Sequence, residues 1–87
     1  MTDFVLELDQ SVTRADGRRY VARILGHRAG EGLWEGRIEF DPQDGSAVLH
    51  TGRETEQHGR EDLEYWAAGL TATYLEGAME RARDHAG

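Results

Sequence analysis

Trp34-Glu35-Gly36-Arg37-Ile38-Glu39-Phe40 alternates without a break, placing Trp34, Gly36, Ile38 and Phe40 on one side and Glu35, Arg37 and Glu39 on the other. A period of two is the mark of a strand with one face in a core and one in water. Pro42 fixes φ at a first turn position and Gly45 follows Asp44, so the chain should reverse tightly over 41–46 into a further strand over 47–51. Upstream, Gly30 and Gly32 permit another reversal, preceded by Arg19-Tyr20-Val21-Ala22-Arg23-Ile24-Leu25, whose β-branched and aromatic residues favour a strand. The inward face of that strand is open between Tyr20/Ala22/Ile24 and Val21/Leu25. A first strand over 3–9 would set Phe4, Leu6 and Leu8 against Val5, Glu7 and Asp9. It could lie beside the second strand or at the far edge.

The C-terminal third carries helical periodicity. Leu63, Trp66, Ala67 and Leu70 fall at i, i+3, i+4 and i+7, behind Glu61, Asp62 and Glu64 in a favourable first turn. Gly69 suits a left-handed C-terminal cap, and Thr73 with Glu76 has capping-box spacing before Tyr74, Leu75, Ala78, Met79 and Ala82. Either two consecutive helices or one kinked helix over about 60–84 satisfies this pattern. The expected architecture is therefore a single α+β domain over residues 1–87. A four-stranded antiparallel β-meander is covered on its Trp34/Ile38/Phe40 face by one kinked or two consecutive C-terminal helices.

Composition narrows the chemistry. With 87 residues there is room for one core, and 38% hydrophobic content with one proline suits a folded domain. Ten Arg against 17 Asp and Glu give −7, which disfavours general affinity for nucleic acid or anionic lipid. All ten basic side chains are arginine and asparagine is absent, a bias that fits GC-rich codon usage. The lack of cysteine removes disulfides, thiolate nucleophiles and zinc–thiolate sites. Neither a leader-like N-terminal pattern nor an apolar run of about 18 residues is present, so a bacterial-type cytoplasmic protein without membrane contact is expected.

Chemistry-bearing residues concentrate in 51–60, TGRETEQHGR, which reads as a polar loop joining sheet to helix. Loops on rigid scaffolds often carry function. In one reading His50 or His58 is a general base, Glu54 or Glu56 orients it, and Arg53 holds an anionic substrate group. In the other, these charges face water. No established catalytic motif has this spacing, and His27, His50, His58 and His85 match no standard metal site, so neither a metal nor another cofactor is expected.

Residues 14–28 hold Arg14, Arg18, Arg19, Arg23 and Arg28 against Asp16 alone. This stretch could dock phosphate, RNA or an acidic partner, or its arginines could pair across the sheet with Glu7, Glu35 and Glu39. A meander followed by a helix is similar in outline to a double-stranded RNA-binding domain, but Glu61, Asp62 and Glu64 stand where basic residues would be needed. Tyr65 is about 100° from Trp66 around a helix and falls at the edge of the apolar stripe, where it either caps the edge of the core or anchors an interface.

The strings Trp34-Glu35-Gly36-Arg37-Ile38-Glu39-Phe40, Arg53-Glu54-Thr55-Glu56-Gln57, Tyr65-Trp66-Ala67-Ala68-Gly69-Leu70 and Tyr74-Leu75-Glu76-Gly77-Ala78 resemble a group of small uncharacterised bacterial proteins, over about residues 20–82. The resemblance implies a recurring element at 53–57 and no activity. Two functions are expected from the residues themselves. The first is a non-enzymatic interaction module that binds a protein partner or itself through loop 52–60 and the sheet edge, using Arg53, Glu54, Glu56, Gln57 and Tyr65. The second is a small hydrolase or isomerase with its site at the same loop, completed at a dimer interface.

Overall fold

The alternating stretch forms the centre of the sheet. In the computed structural model, which describes residues 3–84 without the side chains of Phe4 and Val5, strand β3 spans Leu33–Asp41. It pairs antiparallel with β2, Arg19–Gly30, which pairs in turn with β1, Phe4–Thr13. Ile38 lies opposite Ile24 and Phe40 opposite Ala22, so the inward face of β2 is Tyr20/Ala22/Ile24. The first strand therefore stands beside the second, at one edge of the sheet. Leu6, Leu8 and Val12 of β1 pack on the same side, while the expected contribution of Phe4 lies outside the described residues.

Beyond β3 the four-stranded expectation needs correction, because among the described residues the sheet has six strands. The expected strand over 47–51 shortens to β4, Leu49–His50, since residues 42–48 take up a wider loop than a tight reversal. Asp41 and Asp44 stabilise that loop by accepting hydrogen bonds from the backbone N–H groups of Gln43 and Ser46, at 2.8 and 2.9 Å. The supposed loop 52–60 contains β5, Thr55–Gln57, which returns to β3 and sets Thr55, Glu56 and Gln57 against Gly36, Glu35 and Trp34.

β4 and β5 are two pieces of one interrupted edge along β3. Thr51 bridges the interruption with its backbone N–H and its side-chain hydroxyl. Its N–H donates to the Ile38 carbonyl at 2.9 Å, and its side-chain Oγ1 accepts the Ile38 N–H at 3.0 Å. Downstream, the Glu54 N–H donates to the Gly36 carbonyl at 2.8 Å and the ladder resumes. Three polar residues give no periodic signal, so this strand is dictated by the backbone groups of β3 that it satisfies.

Two helices cover the Ile24/Ile38/Phe40 face, α1 over Arg60–Ala68 and α2 over Ala72–Arg81. Leu63 and Ala67 of α1, Leu70 beyond it, and Leu75, Ala78 and Met79 of α2 supply the buried stripe. The helix break falls where expected, with different caps. Gly69 has φ −90°, outside the left-handed region, and its N–H donates to the Trp66 and Tyr65 carbonyls at 3.1 and 3.2 Å. Thr71 caps α2 in place of Thr73, its hydroxyl accepting the Tyr74 N–H at 3.1 Å. The chain then leaves α2 into β6, Arg83–Asp84, which pairs with β4.

The two tryptophans do not sit at the centre of the core. Trp34 is half-buried with the Arg28 guanidinium 5.4 Å above its ring, and Trp66 packs edge-on against Tyr74 with ring centroids 6.3 Å apart. Phe40, Ile24, Ile38, Leu63 and Leu75 fill the centre instead. Helix α1 approaches the sheet closely because Gly36 has no side chain beneath it. Among the described residues no helix is long and apolar enough to cross a membrane.

Candidate functional site

Because 50–57 runs as an interrupted strand, its polar side chains divide between two faces of the sheet. On the face away from the helices, the His50 imidazole meets Glu39 at 3.2 Å, and Glu39 bonds to Arg23 at 3.0 Å. Arg23 also pairs with Asp41 at 3.0 Å and with Glu7 at 3.5 Å. A second row lies further along β3. His27 meets Glu35 at 3.1 Å, the other Glu35 oxygen takes the Arg53 guanidinium at 3.3 Å, and Arg53 reaches Glu56 at 3.5 Å.

Each row is a set of cross-strand neighbours in which acids and bases satisfy one another. Such pairs contribute about 0.2–1 kcal/mol each at a partly exposed surface. The mutual support is strongest around Asp41. The Gln43 N–H, and then Arg23, hold its carboxyl below the usual aspartate range, while Asp41 and Glu39 raise the Arg23 guanidinium.

Glu54 points the other way. Its carboxylate, largely buried, accepts the Tyr74 phenol at 2.7 Å and the Arg81 guanidinium, bracing α2 against the edge of the sheet. Burial, and then this carboxylate, raise the Tyr74 phenol above the ordinary tyrosine range. Arg81 is raised by the same contact and lies 5.7 Å over the Tyr74 ring.

The five residues considered as a catalytic set are thus distributed over three places. His50 sits with Glu39, Arg53 and Glu56 sit with Glu35 and His27, and Glu54 is on the helix side with Tyr74 and Arg81. His58 is exposed beyond the end of β5, and His85 lies outside the described residues. His27 is the residue that joins the Arg53 row unforeseen. The register was nevertheless accessible, since folding the hairpin about Gly30 and Gly32 brings His27 opposite Glu35. Among the described residues no group of three or more His, Cys, Asp or Glu could hold a metal ion.

The arginines of 14–28 serve several separate contacts. Arg14 reaches the Tyr20 hydroxyl at 3.5 Å, Arg19 bonds to Ser11 at 3.0 Å, Arg23 joins the carboxylates above, and Arg28 covers Trp34.

On the helix side, an open groove of about 550 Å³ runs between α1, the 69–71 turn, the start of α2 and the end of β5. Trp66, Leu70 and Tyr74 form its apolar walls, with Gln57, Asp62 and Tyr65 around them. Asp62, Tyr65, Trp66 and Gly69 share this side of α1 because they fall at i, i+3, i+4 and i+7. Tyr65 is 84% exposed, in contrast to Trp66 beside it. Of the five residues expected to bind a partner, Gln57 and Tyr65 line the groove, Arg53 and Glu56 lie on the opposite face, and Glu54 stands behind Tyr74.

No protein-family model, curated protein or solved structure matches the chain, so the residue roles rest on this geometry.

Proposed function

We propose that the protein is a non-enzymatic interaction module that holds a short segment of a partner protein in the groove between α1, α2 and β5. The observation that carries this reading is Tyr65, a large aromatic side chain 84% exposed on the rim of a groove walled by Trp66, Leu70 and Tyr74. Isolated exposed apolar residues are ordinary, but aromatic residues beside a preformed apolar recess are the usual anchors of interfaces. The engagement of His27 and His50 supports binding over hydrolysis. His27 and His50 are each engaged by a glutamate on the sheet surface, away from this recess.

Selection of random peptides on the immobilised protein tests the proposal. The expected outcome is an enriched peptide family whose binding is lost on Tyr65→Ser and kept on Arg53→Ala. Enrichment indifferent to Tyr65, or none above an unrelated domain of similar charge, would overturn it.

A further inference from the structure

We infer that the groove is built for a cationic side chain, arginine or lysine, carried by the partner segment and laid against Tyr65 and Trp66 with Asp62 as its counter-charge. The inference rests on the binding reading above and specifies its chemistry. Three aromatic side chains, Tyr65, Trp66 and Tyr74, line one recess in a chain of 87 residues. Among the described residues that line it, Asp62 is the only charged side chain.

Aromatic faces attract cations through the ring quadrupole, and a carboxylate at the rim adds charge and hydrogen-bond acceptors. Arg81, the cation on Tyr74, has its charge met by Glu54 and is not part of the lining. The protein already stacks arginine on aromatic rings at Arg28–Trp34 and Arg81–Tyr74. Its overall charge of −7 also favours approach of a basic segment.

Gly69 is one of the lining residues of the recess. A Cβ there would meet the Trp66 and Tyr65 carbonyl oxygens at 3.6 and 3.8 Å, ordinary contact distances, and φ of −90° suits any residue. Glycine is therefore dispensable for the fold at this position. Gly69→Leu adds bulk at the lining while leaving Asp62, Tyr65 and Trp66 in the sequence.

The test is a titration of the intact protein, followed by the Trp66 indole and Tyr65 resonances in NMR, with flexible Gly/Ser peptides carrying one central residue. Peptides with arginine or lysine are expected to shift both signals, and a norleucine peptide of the same length to bind about fivefold more weakly or worse. Asp62→Asn should weaken the cationic peptides by about fivefold and leave the norleucine peptide unchanged. Gly69→Leu should abolish the shifts with its fold intact by circular dichroism.

Equal binding of norleucine and arginine peptides in the groove would overturn the cationic assignment while leaving the binding module standing. Silence of both resonances toward every peptide would overturn both. A concentration-dependent dimer dispersed by Tyr65→Ser would give the groove to a second copy and likewise overturn the assignment.

Discussion

The Tyr74 phenol donates a 2.7 Å hydrogen bond to the Glu54 carboxylate, tying the second helix to the strand edge that lies across the sheet from the Arg53 row. Tyr74→Phe is expected to destabilise the protein by about 1–2 kcal/mol, as loss of a bond to a charged acceptor does. Glu54→Ala should cost more, about 2–3 kcal/mol, because it removes the acceptor of both the Tyr74 phenol and the Arg81 guanidinium. Urea denaturation of the single and double variants measures the coupling between them.

Alkaline pH probes the same contact. With the Tyr74 phenol raised by burial and then by Glu54, its contribution is fully present below the ordinary tyrosine range and is lost as pH rises through the higher folded value. The phenolate absorbance difference between wild type and Tyr74→Phe should therefore appear above the ordinary range. A difference step within that range would contradict the buried contact.

Leu63 rests on Gly36, where an added Cβ would lie 2.8 Å from Leu63 Cδ1 and 3.1 Å from Thr55 Cγ2. Gly36→Ala is expected to cost about 1–3 kcal/mol by overpacking. Combining it with Leu63→Ala should give less than the sum of the two losses, since the second change removes the obstacle. Additive losses in denaturant midpoints would contradict this packing.

Thr51, 1% exposed, supplies the acceptor for the Ile38 N–H inside the interrupted edge. Thr51→Val keeps the shape and leaves that N–H without its acceptor, a loss of about 1–3 kcal/mol. Thr51→Ser should retain most of the stability. Hydrogen exchange at the Ile38 amide reports the difference directly, with faster exchange expected in Thr51→Val alone.

Asp41 governs an acid-side effect. Its carboxyl is held below the usual range by the Gln43 N–H and then by Arg23, so its stabilisation is present above the unfolded aspartate range and fades as pH falls through the lower folded value. Asp41→Asn should cost about 1 kcal/mol at pH 7 and close to nothing below that folded value. A mutational cost unchanged between neutral and acid pH would contradict the ionic role.

The strongest signal in the sequence lay in residues whose burial alternates. Trp34 through Phe40 defines both strand and face because Ile38 and Phe40 must be dry while Arg37 stays wet. The helical stripe of Leu63, Ala67, Leu70, Leu75 and Met79 is legible for the same reason. Thr55-Glu56-Gln57 could not be recognised in this way. Its strand is stabilised by main-chain pairing to β3, and its side chains alternate without hydrophobic contrast.

That hidden strand explains why the site residues were grouped by sequence and separated by structure. Arg53 and Glu54 are adjacent in the chain, yet one meets Glu35 on the open face and the other meets Tyr74 on the helix face. Tyr65, by contrast, was legible as the edge of a stripe. The groove beside it was not, because its walls come from α1, the 69–71 turn, α2 and β5 together.

The most direct test of the binding account is the chemical-shift map of the intact protein with the tightest peptide from the random selection. The expected perturbations cluster at Gln57, Asp62, Tyr65, Trp66 and Tyr74, around the groove. A cluster at His27, Glu35, Arg53 and Glu56, on the opposite face of the sheet, would contradict the account and place the interaction on the charged surface instead.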